Sequence, residues 1–292
     1  MTDLLIVIVR GIGTGALLSL LAMSANVIFN SSGILNFAHG HLFIVGALFS
    51  FLLFPAGASI SYWLLMLPVV ILATVALASF QGAVTLIPLR SSSEQHSWII
   101  TTLAFSIILG GVMTLAMGPA TNSAPNPFGT FRFLGTQIPV PYVLLTIMAV
   151  VTYFLLKEFQ RRTLVGLALN ALSQDLDAAR TLGARTFKLQ VASFAIAGVI
   201  LGFTTHVGAS AISINTETGL HTAIFGFIVL VMGGLGNNLG ALVAGPIFGI
   251  IQMLVALQLG GQYQLPVALL LVVAVLMVRP QGIFGKLHAR RV

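Results

Sequence analysis

An all-α, polytopic membrane fold is what this 292-residue sequence predicts, and three observations carry the prediction. Hydrophobic residues make up 58% of the chain and charged residues only 7%, against about 25% charged in soluble domains. Mean hydropathy is +1.06, and apolar runs of about 20 residues recur throughout, each long enough to carry a helix across roughly 30 Å of hydrocarbon. The charge that exists is segregated: nine of the nineteen charged residues fall between Lys157 and Lys188, a segment too polar to lie in lipid. The expected organisation is one transmembrane domain over residues 1–292, with 157–188 as a polar loop inside it.

The first apolar run extends from Leu4 to Phe29 and is broken only by Arg10, which near a helix end can snorkel to the interface. Its spanning part is expected from Ile12 to Phe29, where Gly11, Gly13, Gly15, Ala16 and Ser19 supply a small-residue side suited to close helix packing. Turn formers from Asn30 to Asn36 interrupt the pattern before a second span, Phe37 to Phe54. An uncharged turn, Pro55 to Ser61, precedes a third span from Tyr62 to Leu89 that holds Pro68 and Pro88 near its ends. A short polar loop, Arg90 to His96, leads to a fourth span, Ser97 to Met117. Pro119, Pro125, Pro127 and Pro139 forbid a continuous helix from Gly118 to Pro139, so an extramembranous or re-entrant loop is expected there. Span five, Val140 to Leu156, delivers the chain to the charged segment. Spans six (Leu189 to His206), eight (Gly240 to Leu259) and nine (Leu265 to Val278) are plain. The apolar part of span seven, Ala223 to Met232, is too short for a crossing before the glycine-rich run Gly233 to Gly240, which predicts a broken helix lining a cavity.

Within the charged segment, Ser173 is placed to cap a short helix, with Asp175 and Asp177 in its first turn and Arg180 near its end; Gly183 can supply the left-handed residue that stops it. Leu169, Leu172, Leu176 and Ala179 recur at steps of three or four and form one apolar face. That face needs a groove, either on its own protein or on a partner.

Charge also predicts orientation. If 157–188 is cytoplasmic, nine spans put 30–36, 89–96 and 279–292 on the same side, and these four regions hold eleven of the thirteen Lys and Arg. The N-terminus is then external and the C-terminus cytoplasmic. The net charge of +7 thus reads as topology rather than as a nucleic-acid surface. No basic run precedes the first apolar stretch, so a removable signal peptide is not expected.

The chain has no Gly-x-x-x-x-Gly-Lys-Ser/Thr phosphate loop, so it does not hydrolyse ATP by that route. Ion-coupled carriers commonly hold carboxylates inside the membrane, whereas the six acids here, Asp3, Glu94, Glu158, Asp175, Asp177 and Glu217, all fall in predicted termini or loops. With no cysteine there is no thiolate chemistry. His39 and His41 are two apart on a helix and point to different sides, so they do not form a metal pair; no catalytic or metal-ligating residue is assigned, and no cofactor is expected in this chain. Asn36 is placed to cap span two, which sets His39 in its first turn at the interface, with a position on a gate or cavity as the alternative. Thr204, Thr205 and His206 read as a hydrated helix end. The candidate lining of a solute route is Asn26, Asn36, His39, Gly233, Gly234, Gly236 and Asn237, because half-helix ends and exposed backbone can meet a small polar solute.

Four stretches in order, Asn36-Phe-Ala-His-Gly40, Ala178-Ala179-x-x-x-Gly183, Gly233-Gly-Leu-Gly236 with Gly240-Ala241, and Arg279-Pro-Gln-Gly-Ile-Phe-Gly285, resemble the permease subunit of branched-chain amino acid ABC importers, the LivH-like type. The resemblance implies a non-catalytic subunit of the bacterial inner membrane, embedded in lipid and paired with a second, LivM-like permease. It further implies solute delivery by a periplasmic binding protein and drive from two cytoplasmic ATPase subunits that bind ATP and Mg. Ala178, Ala179 and Gly183 match the family's ATPase-contacting segment, which makes Ser173, Asp175, Leu176, Ala178, Ala179 and Gly183 the expected coupling residues. The chain departs from the family where Ser24-Ala25-Asn26 replaces a frequent Gly-Tyr-Thr, where Thr216 replaces a proline before Gly219, and where Pro246 replaces a glycine. Branched-chain or other hydrophobic amino acids are the expected solutes, with urea or amides as alternatives. From a different class, the alternative is a self-contained channel or an ion-coupled carrier.

Overall fold

Long uncharged runs become long helices in the computed structural model, which describes residues 2–55, 57–87, 97–118, 120–133 and 136–285. In chain order these form α1 (Thr2–Ser32), α2 (His39–Leu53), α3 (Ile60–Leu86), α4 (Ser97–Met117), two antiparallel strands β1 (Thr130–Phe133) and β2 (Thr136–Pro139), α5 (Val140–Arg162), α6 (Leu164–Gln174), α7 (Leu176–Thr181), α8 (Thr186–Gly208), α9 (Thr216–Gly233), α10 (Asn238–Gln258) and α11 (Gln264–Val278). Among the described residues, eight helical segments are long and apolar enough to cross a membrane. Helix α2, with 15 residues, spans only about 22 Å at 1.5 Å per residue.

Helix α1 is the hub. Gly11, Gly15 and Ser19 on α1 face Ala241, Gly245 and Gly249 on α10 so closely that a Cβ at Gly11 would lie 2.7 Å from the Ile250 Cα, and one at Gly15 would meet the Pro246 Cα at 2.6 Å. The Ser19 hydroxyl donates to the Ala241 carbonyl at 2.9 Å across this contact. Gly13 instead faces the Tyr142 ring of α5. A second close pair joins α3 to α8, where Gly198 and Gly202 sit against Ile71, Thr74 and Val75 and the Thr74 hydroxyl donates to the Gly198 carbonyl at 3.0 Å. Small residues on both partners are what allow helices to approach in lipid, where no hydrophobic force drives them together.

The ends of the helices sort as alternation requires. Ser31 of α1 bonds Ser193 of α8 at 2.6 Å, Asn30 bonds Gly236 at 3.1 Å, and the Ile283 amide donates to the Met232 carbonyl at 2.7 Å, which gathers one end of the bundle around the charged segment. At the other end, Asn122 and Ile214 exchange backbone hydrogen bonds of 3.1 and 2.7 Å, and the Ala124 amide donates to Ala209. The proline-rich stretch after Gly118 is therefore pinned over the α8–α9 connection, and β1 and β2 pair antiparallel within it.

Helix α1 extends beyond its expected spanning part, Ile12 to Phe29, at both ends, and three expectations are corrected. Span seven is not a half-helix: α9 runs unbroken for 18 residues, because Thr218, His221 and Thr222 are polar yet helix-compatible, and Asn215 caps it by accepting from the Thr218 amide at 2.7 Å. The stretch Asn30 to Asn36 is not a simple surface loop. His39 bonds Ser24, eight residues before the end of α1, so α2 starts about 12 Å inside the end of the hub helix and the chain from Gly33 to Ala38 re-enters the bundle. The single helix expected from Ser173 to Gly183 is two helices: Ser173 belongs to α6 and donates to the Asn170 carbonyl, while Asp175 caps α7 by accepting from the Asp177 and Ala178 amides at 3.0 and 2.9 Å. Pro88, the loop Arg90 to His96, Pro119 and the basic tail with Arg290 lie outside the described residues.

The α1–α10 contact makes a direct prediction. Gly15→Leu forces overpacking at the helix crossing and is expected to cost about 1–3 kcal/mol, read as a lower thermal midpoint of the purified protein in detergent. Gly111→Leu, at a position with open space around it, should leave the midpoint unchanged. Equal effects of the two variants would contradict the crossing as described.

Candidate functional site: a cavity at membrane depth

The re-entrant chain from Gly33 to Ala38 lies inside the bundle, where its polar groups must be satisfied by protein. Asn36 meets this by pairing with Gln81 of α3 through two hydrogen bonds, Nδ2 to Oε1 at 2.9 Å and, in return, Gln81 Nε2 to Asn36 Oδ1 at 2.6 Å. The same Asn36 Oδ1 accepts from the Ala38 amide at 3.0 Å, which turns the chain into α2. Phe37 lies parallel to Trp98 with centroids 6.3 Å apart and also contacts Phe227.

Beside this turn, α1, α2, α4 and α9 enclose a cavity of about 140 Å³. Its wall is largely apolar, from Leu21, Leu103, Leu220, Phe227 and Leu230, and its polar side chains are Asn36, His39, Ser106 and Thr222. His39 is buried, and its Nε2 lies 2.6 Å from the Ser24 hydroxyl of α1. One step around α2, His41 Nδ1 lies 2.8 Å from the Ser106 hydroxyl of α4. Gly40 is packed so closely on α9 at Gly219 and Ala223 that a side chain there would overlap its backbone. The arrangement can hold a small solute with an apolar body and a polar head, the head toward the first turn of α2.

Of the candidate route residues, Asn36 and His39 are on this wall, and the other five are not. Asn26 is fully buried in α1, where its Oδ1 accepts from the Gly236 amide at 2.7 Å while Asn30 donates to the Gly236 carbonyl. Gly234 and Gly236 adopt φ of +98° and +79°, and Gly233 packs directly on Gly240. Asn237 caps α10 by accepting from the Leu239 and Gly240 amides and donates to the Phe284 carbonyl at 2.7 Å. The glycine-rich run is thus a tight turn stapled to α1 and to the segment after α11, and it does not line the cavity. Thr204, Thr205 and His206 are buried rather than hydrated, with His206 stacked on Trp63 and 2.8 Å from the Ser50 hydroxyl. Ser24, Gln81, Ser106 and Thr222 were missed because single uncharged polar residues in apolar runs carry no periodic signal.

The coupling candidates divide by exposure. Leu169 and Leu172 of α6 and Ala179 of α7 are buried against their own chain, so that apolar face is already occupied. Ser173, Asp175, Ala178 and Gly183 are exposed, Leu176 is half-buried, and Leu164 and Leu182 project with 87% and 88% of their surface free. Gly183 ends the segment at φ +87°. Leu176 and Arg180 share a second cavity of about 350 Å³ with Gly33, Ile34 and Trp98, so α7 adjoins the start of the re-entrant turn.

The family model described as branched-chain amino acid transport system / permease component matches residues 7–278. The chain is 28% identical over 303 residues to the high-affinity branched-chain amino acid transport system permease protein LivH of Salmonella typhimurium, covering 97% of this chain and 96% of the relative. It is 27% identical over 304 residues to BraD of Pseudomonas aeruginosa, covering 98% and 97%. To a probable LivH of Methanocaldococcus jannaschii it is 27% identical, covering 92% and 89%. No solved structure matches the chain.

The staple predicts a separation of stability from solute handling. Asn26→Leu leaves the part-buried Gly236 amide without its partner, an expected loss of about 1 kcal/mol measured as a lower thermal midpoint. Solute affinity of the protein that folds should be that of wild type; a selective loss of affinity with unchanged stability would return Asn26 to the route.

Proposed function

The chain belongs to the permease-component family of branched-chain amino acid transport systems, and from that premise we propose that it is the membrane-spanning permease of an ATP-driven importer in a bacterial inner membrane, passing branched-chain amino acids through the α1–α2–α4–α9 cavity. The observation that carries the reading is the cavity itself: an apolar wall at membrane depth with its polar side chains few and near the first turn of α2. Leucine, isoleucine and valine have the matching form, an apolar side chain on a compact polar head. Urea would leave the Leu103, Phe227 and Leu230 wall without a partner. No acid is among the residues that line the cavity, and among the described residues Glu158, Asp175, Asp177 and Glu217 sit at helix ends, which disfavours an ion-coupled carrier.

In this reading the chain is a non-catalytic translocation subunit. A second, LivM-like permease lies beside it, a periplasmic binding protein delivers solute, and two cytoplasmic ATPase subunits bind ATP and Mg. The contact with an ATPase falls on the outward face of α6 and α7, formed by Ser173, Asp175, Ala178, Leu182 and Gly183, because the inward face is filled by its own protein. Closure of the ATPases reaches the cavity through α7, since Leu176 and Arg180 border Gly33 and Ile34, and Asn36 follows two residues later.

The test is uptake into proteoliposomes that hold both permeases and the ATPases, with binding protein and leucine outside and ATP inside. ATP-dependent leucine uptake is expected, and ATP-independent uptake by this chain alone would overturn the reading. Leu182→Glu should weaken ATPase binding at least tenfold, about 1.4 kcal/mol, with a normal thermal midpoint. Ala179→Glu should instead lower the midpoint, because it buries an unpaired carboxylate inside the permease. Normal ATPase binding in Leu182→Glu would move the docking face elsewhere.

A further inference from the structure

Helix α2 begins inside the bundle with an N-terminus that its own chain does not satisfy. The first four amides of any α-helix have no partner within the helix. Here the Ala38 amide is taken by Asn36 Oδ1 and the His39 amide by the Asn36 carbonyl. Ala38, in the capping position, has no side chain that can accept, and the Gly40 and His41 amides have no hydrogen-bond partner among the described residues. Asn36, Phe37, His39 and Gly40 line the cavity, and His41 follows them in the same turn.

A second, independent group is left open at the same place. His39 is 6% exposed, and its Nδ1 is buried with no partner. The Ser24 hydroxyl has one hydrogen, and it donates to the Leu21 carbonyl at 2.8 Å. With the Ser24 proton on Leu21, His39 Nε2 is the donor in its 2.6 Å bond to Ser24 and Nδ1 of the neutral imidazole is left as an acceptor. Two free donors and one free acceptor thus stand within one helical turn, beside an apolar wall. The N-terminus of a helix carries a partial positive charge of about +0.5 and favours a carboxylate.

We propose that the first turn of α2 is a head-group site for an α-amino acid zwitterion, with the Gly40 and His41 amides receiving the carboxylate and His39 Nδ1 receiving the ammonium. An α-amino acid holds both charges on one carbon, so donors and an acceptor on adjacent residues match it, whereas a neutral amide or urea has no anionic group for the helix end. The side chain then lies along Leu21, Leu103, Phe227 and Leu230. This assignment rests on the cavity being the solute route, and it adds which part of the solute each group holds.

The experiment is equilibrium binding of radiolabelled leucine to the purified permease–ATPase complex without binding protein, competed by leucinamide, which lacks the carboxylate, and by 4-methylpentanoate, which lacks the ammonium. Each analogue should compete at least tenfold more weakly than leucine. His39→Ala should erase the preference for leucine over 4-methylpentanoate and keep the preference over leucinamide; His39→Gln, whose amide oxygen can accept, should restore the first. Equal competition by all three ligands in wild type would overturn the head-group site, as would a loss in both His39 variants that is the same for every ligand. Ala223→Trp, which fills the cavity, separates this from failure of the route. If it abolishes leucine binding while the three ligands compete alike in wild type, the route stands and the head-group site falls. If it binds and transports leucine normally, the route itself is wrong and the head-group site falls with it.

Discussion

The close crossing of α1 and α10, glycine against glycine at Gly11, Gly15, Gly245 and Gly249, is the contact on which the rest of the molecule depends. Lipid offers helices no hydrophobic gain for associating, so the approach relies on dispersion contacts and on the Ser19 hydroxyl reaching the Ala241 carbonyl. Once α1 is buried on this side, by α8 on another and by α5 and α9 around it, its polar side chains have no water and must find partners in protein. Ser24 finds His39, Asn26 and Asn30 find Gly236, and Ser31 finds Ser193. One buried helix thereby holds both irregular stretches of chain that lie against it.

Those two stretches do different things. Gly233 to Gly240 is held by Asn26, Asn30 and Asn237 and by the segment Ile283 to Phe284. Gly33 to Ala38 is tied down at Asn36 by Gln81 but leads into a helix start whose Gly40 and His41 amides have no partner among the described residues and which borders open space. The first break closes on itself and fixes architecture, while the second borders open space and is the one proposed to bind solute. The position of α7 next to Gly33 and Ile34 places the proposed site of energy input close to the break proposed to bind solute.

Much of this was legible in the residues. Run lengths and charge segregation predict the helices and their alternation, and the small-residue side of α1 is the one that packs on α10. Gly183 reads correctly as the left-handed residue that ends α7, whereas Ala38 rather than Asn36 holds the capping position of α2, and Asn36 instead turns the chain just before it. The misreading of α9 has a simple cause: apolar continuity is a poor measure of helix length. Thr216 to Thr222 lowered the hydropathy of α9 without breaking it, so the short apolar remainder looked like a half-helix and drew attention to the glycines after it. The truly short element, α2, begins with His39-Gly40-His41, which reads like an ordinary helix start. Nothing local reveals that Ser24 and Ser106, fifteen residues before His39 and sixty-five after His41, are their partners. The apolar face of Leu169, Leu172 and Ala179 was visible as a face, but a sequence does not say which surface covers it.

The most direct measurement of the central claim uses the absence of native cysteine. Ala223 lies on the cavity wall and opposite Gly40, so a single Ala223→Cys variant, reconstituted with its partners, reports on that space alone. Its rate of reaction with a small methanethiosulfonate reagent is measured with and without saturating leucine. Leucine in the cavity should slow the reaction at least several-fold, and glutamate, unable to occupy the apolar wall, should not. An unchanged rate in a variant that still takes up leucine would contradict the cavity as the path of the solute.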